Sequence, residues 1–283
     1  MADRERLVHH KSKNESFKTG KNDVHKRREC EQTAFEEPAE NVVAGRNAVS
    51  ELLKSERAVD KLFVQKGERE GSLPLIVALA TERRIPVVEV QRQKLDALAG
   101  AVRHQGVVAL AAQKEYSTLQ DILNIAKERG EQPFVVLCDG IDDPGNLGAL
   151  IRCAEGAGAH GVVITKRRSV GLTAVVSKAS AGALEHMAVA KVSNLSSAID
   201  ELKEAGLWVY GAEAGGTPCH KTDMKGAVAV VMGSEGQGIS RLVAEKCDFI
   251  VSIDMYGKVN SFNVSCAAAV ILCEVARQRH AEG

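Results

Sequence analysis

Three short stretches hold polar side chains at spacings that could do chemistry. Asp139-Gly140-Ile141-Asp142-Asp143-Pro144-Gly145-Asn146-Leu147-Gly148-Ala149-Leu150-Ile151-Arg152 carries an amide and a guanidinium, and Met232-Gly233-Ser234-Glu235-Gly236-Gln237-Gly238-Ile239 carries a carboxylate among glycines. Ile253-Asp254-Met255-Tyr256-Gly257-Lys258-Val259-Asn260-Ser261-Phe262-Asn263-Val264-Ser265 brings hydroxyls and a further amide. Each group also has a plainer reading. Asn146 could be a helix N-cap and Arg152 a solvated helix charge, Glu235 an ordinary turn carboxylate, and Ser261, Asn263 and Ser265 capping residues. What sets them apart is placement, because each stretch follows an apolar, strand-like run. Polar groups there collect at the carboxyl edge of a sheet, where open α/β folds bind ligands, and glycines let backbone groups approach such a ligand closely.

The elements that must hold these turns are legible as alternating patterns. Strands are expected at Phe134 to Cys138, Gly161 to Ile164, Trp208 to Ala212, Val228 to Met232 and Ile250 to Ile253, nearly all separated by helical patterns, after a helix from Thr118 to Arg129. That order predicts a mostly parallel sheet covered on both faces. Upstream, short strands at Val42 to Ala44, Lys61 to Val64, Pro86 to Val90 and Val107 to Leu110 alternate with helices at Asn47 to Lys54 and Leu73 to Arg83, giving a small α/β/α domain. Gly156-Ala157-Gly158-Ala159-His160-Gly161 matches the dinucleotide fingerprint but closes a helix and leads into a strand. The fingerprint needs the reverse order, so these glycines read as a helix end and turn, and no phosphate loop of the G-x-x-x-x-G-K-[ST] type occurs.

Composition narrows the class further. The chain has 283 residues, 45% of them hydrophobic, enough for a buried core, and no apolar run long enough to span a bilayer. Its start is charged where a secretory signal would be apolar, so the cytosol is the expected location. The seven cysteines form no C-x-x-C pair and read as core residues of a reducing compartment, and no metal site is expected. Formal net charge is zero, which does not announce a nucleic-acid partner, but residues 4–28 lean basic and 29–40 acidic. Residues 1–40 read as a disordered charged tail, 41–113 as the small domain and 114–283 as the larger one.

Together, N-x-G-A-x-x-R, M-G-x-E-G-x-G, and I-x-M with S-x-N-V-S stand in an order that resembles the SpoU branch of the SPOUT methyltransferases, from about Phe134 to the C-terminus. The small domain, opening with Val43-Ala44-Gly45-Arg46-Asn47-Ala48-Val49, is similar to the L30-like RNA-binding domain that often precedes it. Where the family usually has I-P-M and S-L-N, this chain has Ile253-Asp254-Met255 and Ser261-Phe262-Asn263, which leaves the polar positions intact. The resemblance implies an α/β fold with a deep trefoil knot, S-adenosylmethionine as cofactor, a homodimer formed through the knot, and RNA as substrate. Gly233, Gly238, Ile253, Met255 and Phe262 would contact the cofactor. Arg152 would be the catalytic arginine, pairing with an RNA phosphate because an arginine stays protonated. Asn146, Ser261 and Asn263 would orient the ribose, and Glu235 would hold Arg152 or Asn146. The combination most resembles enzymes that methylate a guanosine ribose of 23S rRNA, which implies naked RNA or a ribosomal precursor as substrate. A tRNA ribose, an rRNA adenosine, or a non-catalytic assembly role are the alternatives. Arg46, Arg57, Lys61, Lys66, Arg69, Arg83 and Arg84 are candidates for RNA backbone contact from the small domain.

Overall fold

The computed structural model describes residues 41–68 and 70–281; the expected tail and Arg69 lie outside the described residues. The first sheet is built from β1 (Val42–Ala44), β2 (Val59–Gln65), β3 (Val87–Val90) and β4 (Val107–Ala111), in the order β1-β4-β2-β3. β4 runs antiparallel to β1 and β2, while β2 and β3 are parallel. Helices α1 (Arg46–Lys54) and α2 (Leu73–Glu82) cover one face through Leu52, Leu53, Leu73 and Ile76. The other face takes Leu95 and Ala99 of α3 (Arg92–Ala99), a helix the sequence reading passed over although Leu95, Leu98 and Ala99 fall at helical spacing.

A second, six-stranded sheet follows α4 (Leu119–Arg129), whose start is fixed by a capping box between Thr118 and Asp121. Its strands are β5 (Phe134–Asp139), β6 (Gly161–Thr165), β7 (Ala188–Val192), β8 (Trp208–Pro218), β9 (Val228–Gly233) and β10 (Phe249–Ser252), in the order β10-β8-β9-β5-β6-β7 with every pairing parallel. Along β5, Phe134, Val136 and Cys138 enter one core while Val135 and Leu137 enter the other, so a continuous apolar run is what a strand covered on both faces requires. α5 (Pro144–Gly156) and α10 (Val264–His280) cover the first face; α4, α8 (Leu195–Glu204) and the short α9 (Arg241–Ala244) cover the second. Each fully buried leucine or isoleucine, such as Leu147, Leu150 and Ile151 of α5, contributes about 1.5–3 kcal/mol.

Several expectations need correcting. β7 and the short helices α6 (Ala174–Ala179) and α7 (Ala183–His186) were not foreseen, because six- and four-residue helices are too short to show a period. β8 runs to Pro218 rather than Ala212, since β10 pairs with Thr217 and Pro218 beyond a register shift and so holds weak strand formers extended. The cysteines are not all core residues: Cys266 and Cys273 are exposed on α10. Among the described residues no helix is long and apolar enough to cross a membrane.

The small sheet is docked against α6 and α7. Arg57 donates to Glu185 at 2.9 Å and to the Ala112 carbonyl at 2.6 Å, with the Glu185 side chain only 2% exposed, so removing either charge would strand the other. His186 and Glu51 meet at 2.9 Å alongside. Gly182 sits at φ +100, and a Cβ there would lie 2.4 Å from Glu51 Cγ, so this contact tolerates glycine alone. Three of the candidate RNA-contacting arginines are consumed internally. Arg57 holds this contact, Arg83 donates to the carbonyls of Leu52, Leu53, Ser55 and Arg57, and Arg46 pairs with Glu68 and Gln105.

At the amino edge of the large sheet, His160 is fully buried and its Nδ1 accepts the Phe134 amide at 2.9 Å, while Nε2 faces Glu131 at 3.1 Å. Burial pushes the imidazole below its ordinary 6.5 despite Glu131, and protonating Nδ1 would break the bond to Phe134. With the folded-state value below the unfolded one, this stabilisation is complete above the ordinary histidine range and is lost as pH falls through it. Urea unfolding should therefore show the advantage of wild type over His160→Gln narrowing between about pH 7 and pH 5.

Candidate active site

β5, β9 and the start of α10 deliver three side chains to one point at the carboxyl edge of the large sheet. Asp143 caps α5 by accepting the Asn146 amide at 2.7 Å, and Pro144 opens the helix with no N–H to satisfy. The N-cap role thus belongs to Asp143, which leaves the Asn146 side chain free to reach sideways. After β9 the chain folds back on itself, with Ser234 and Gly238 exchanging backbone hydrogen bonds at 3.1 and 3.0 Å. A Cβ on Gly233 would lie 2.2 Å from the Gly238 carbonyl carbon, so the turn can close only on glycine, and closing it lifts Glu235 to the tip.

Asn263 is the N-cap of α10, its Oδ1 accepting the amides of Ser265 and Cys266 at 3.0 and 3.4 Å and the Ser265 hydroxyl at 2.5 Å. Backbone amides only donate, so the Asn263 Nδ2 must point the other way, where it donates to Asn146 Oδ1 at 3.0 Å and to Glu235 Oε1. Asn146 Nδ2 then donates to the same Glu235 oxygen at 3.1 Å. In the triangle Glu235 Oε1 accepts from both amides. The arrangement spends both Asn263 amide hydrogens and leaves one Asn146 N–H and the second Glu235 oxygen for a ligand. Of the two partners expected for Glu235, the structure selects Asn146.

Beside the triangle lies a cavity of about 470 Å³ lined by Asp139, Asp143, Asn146, Arg168, Ser234, Glu235, Gly238 and Arg241 among others, a size that suits a cofactor-sized molecule. Gly238 is on its wall and Gly233 directly behind the turn. The remaining predicted residues are not gathered there. Arg152 stands six residues beyond Asn146, about 9 Å along α5, exposed and with no hydrogen-bond or ion-pair partner among the described residues. Ser261 reaches only Asn260, at 3.4 Å. Ile253 lines a second cavity with Cys219, His220 and Cys273, and Met255 and Phe262 line neither; Phe262 is 48% exposed.

Sequence reasoning missed Asp139, whose carboxylate accepts the Ser240 amide at 2.7 Å and ties β5 to the Glu235 turn, and also Arg168. Both stand at strand ends on the ligand-binding edge, and the rule applied to Asn146 would have found them. Thiol chemistry has no support nearby, since burial pushes Cys138 up to about 12. No cluster of residues able to hold a metal ion occurs among the described residues.

Comparison with known proteins agrees over most of the chain. The pattern of the SpoU rRNA methylase family matches residues 133–273, and that of the RNA 2'-O ribose methyltransferase substrate-binding domain matches residues 42–117. A TrmH family tRNA/rRNA methyltransferase of Bacillus subtilis, YacO, is 46% identical over 242 residues, covering 85% of this chain and 97% of that protein. One from Staphylococcus haemolyticus is 46% identical over 245 residues, 86% of this chain and 97% of that protein. Among solved structures, the SpoU methyltransferase AviRb of Streptomyces viridochromogenes, in complex with AdoMet, shares the fold at a TM-score of 0.71 and 24% identity, covering 86% of this chain and 91% of that one. An AdoMet-bound rRNA methyltransferase of Sinorhizobium meliloti does so at 0.67 and 24%, covering 83% and 86%.

The triangle makes a prediction independent of any ligand. Asn263→Asp keeps the cap but sets a second carboxylate against Glu235, so one of the two must be held protonated. A carboxyl whose folded-state value is raised stabilises at low pH and ceases to as pH climbs past it. Chemical denaturation should find the variant near wild type below about pH 4 and weaker by about 1–3 kcal/mol at neutral pH, whereas Asn263→Ala, which loses the cap, should lose about 1 kcal/mol at both.

Proposed function

The chain belongs to the SpoU rRNA methylase, or TrmH, family of RNA 2'-O-ribose methyltransferases, and on that premise we propose that its substrate is a guanosine ribose of 23S rRNA with S-adenosylmethionine as methyl donor. The observation that carries this reading is the Asn146–Glu235–Asn263 triangle at the lip of a 470 Å³ cavity on the ligand-binding edge of a parallel sheet. The cavity fits the donor. Its wall offers the carboxylates of Asp139, Asp142, Asp143 and Glu235 to a positively charged group, and the Gly233 to Gly238 turn offers backbone groups at close approach.

When bound, S-adenosylmethionine supplies an electrophilic methyl group on a sulfonium that leaves as a neutral thioether. The protein's task is to align a ribose 2'-oxygen with that methyl and to make a weakly acidic hydroxyl nucleophilic. Asn146, through its spare N–H, orients the ribose, while Glu235 and Asn263 fix that amide's direction. Arg152, planar and always charged, pairs with the adjoining phosphate and favours loss of the 2'-proton. Ser261 completes the ribose contact, and Gly233, Gly238, Ile253, Met255 and Phe262 are the residues that would hold the cofactor.

Further readings rest on the same premise. The strand order, with β10 outside β8 and α10 packed back on α5, is consistent with a trefoil knot in the last third of the chain. Tyr256, Val259, Phe262 and Val270 are exposed apolar groups on or beside α10, and a second copy of the chain is the partner that would cover them. We read residues 41–113 as the RNA-binding domain and 114–283 as the methyltransferase, working in the cytosol on rRNA or a ribosomal precursor. A tRNA substrate is the competing reading, since the relatives' description names tRNA and rRNA alike.

The experiment is methyl transfer from radiolabelled S-adenosylmethionine to total RNA from cells lacking the gene, followed by mapping of 2'-O-methyl sites. One labelled guanosine in 23S rRNA is expected; label confined to tRNA would sink the rRNA assignment, and none at all the activity. Arg152→Lys should lower kcat by about a hundredfold with cofactor affinity unchanged, because a point charge cannot reproduce the bidentate fork.

A further inference from the structure

Lys166-Arg167-Arg168 follows β6 directly, at the same carboxyl edge of the sheet as the triangle, and the Arg168 side chain lines the cavity with Asp143, Asn146 and Glu235. The backbone at Arg168 is left-handed, φ +57, a conformation that costs a residue with a Cβ about 1 kcal/mol and that glycine adopts freely. The loop around it is tied on both sides. Lys166 donates its amide to Val192, the Thr165 hydroxyl donates to the Arg167 carbonyl, and Val170 donates its amide to Ile141 in the turn that precedes α5. The chain therefore places an arginine in a conformation better suited to glycine, within a loop anchored on both sides.

That side chain is uncommitted. Arg241, the other arginine on the cavity wall, is paired with Glu245 at 3.0 Å. Arg168 has no hydrogen-bond or ion-pair partner among the described residues, although the carboxylates of Asp142, Asp143 and Glu235 line the same cavity. A permanently charged, planar fork kept open on the wall of a polar cavity matches an anionic oxygen ligand. A ribose within an RNA strand carries a phosphate on each side, and Arg152 serves at most one of them.

We propose that Arg168 is a positioning residue that grips the second RNA phosphate flanking the target ribose. This rests on the RNA-methylating function proposed above. The same segment leads through α6 to Lys178, whose ammonium donates to Gln105 of the small domain, so the grip at the cavity is mechanically continuous with the docked RNA-binding domain.

Arg168→Gly tests this cleanly, because glycine relieves the left-handed backbone while deleting the guanidinium. Binding of ribosomal RNA extracted from cells lacking the gene would be followed from about 50 to 300 mM salt, beside thermal unfolding and cofactor affinity. The expected variant melts no lower than wild type, and any loss of S-adenosylmethionine affinity is far smaller than its loss of RNA affinity. It binds RNA about tenfold more weakly at low salt, with a salt slope shallower by about 0.7–0.9, and Arg168→Lys recovers the slope. Unchanged RNA affinity and slope would overturn the proposal, as would an equal loss of cofactor affinity, which would assign Arg168 to the donor's carboxylate instead. Absence of methyl transfer by the wild type would remove the proposed function, while the salt slope would still report on the arginine.

Discussion

The structure of the site hangs on one rule of hydrogen bonding: the first amides of a helix can only donate. At α10 those amides belong to Ser265 and Cys266, and both are taken by Asn263 Oδ1. That choice turns the Asn263 amide nitrogen toward Asn146 and Glu235, fixes which end of Asn146 accepts, and aims both amides at one Glu235 oxygen. A capping bond thus sets the orientation of two amides and a carboxylate drawn from separate turns, more than eighty residues apart in the widest pairings. Each member is ordinary alone; their coupling is what gives the cavity a fixed polar lip.

Around that lip the backbone is drawn tight. Gly233 permits the turn after β9 to touch itself, Asp139 ties that turn to the end of β5, and Asp143 anchors the first turn of α5. The three side chains of the triangle therefore sit at the ends of regular elements or in a tight turn rather than on long loops, which suits reproducible alignment. The stretch between β10 and α10 is different. It carries Tyr256, Val259 and Phe262 outward, and the groups the resemblance assigns to the cofactor there, Met255 and Phe262, remain apart from the cavity.

The small domain extends this logic to substrate. Its arginines look in sequence like a nucleic-acid surface, yet Arg46, Arg57 and Arg83 turn inward to hold carbonyls and carboxylates. Arg57 in particular joins the domain to Glu185 in a largely buried pair, beside the close approach of Gly182 to Glu51. The same charge that would bind RNA on an open face instead sets where that domain stands. Charge counts could not separate these uses, because desolvation and partner geometry decide them.

The sequence by itself determined most of the strands that alternate with helices, the parallel sheet and the family motifs, and it nominated Asn146, Arg152, Glu235, Ser261 and Asn263 together. Those depend on period, apolar runs and turn chemistry, all local to a few residues. Only the tertiary structure decided that Asp143 rather than Asn146 caps α5, that Glu235 holds Asn146, that Arg152 and Ser261 stand clear of the triangle, and that Arg168 joins the cavity. It also extended β8 to Pro218 and moved Cys266 to the surface. The reason is common to all of them: which of several capable donors and acceptors become partners is fixed by distance and direction across the sheet edge, and neither is encoded in spacing along the chain.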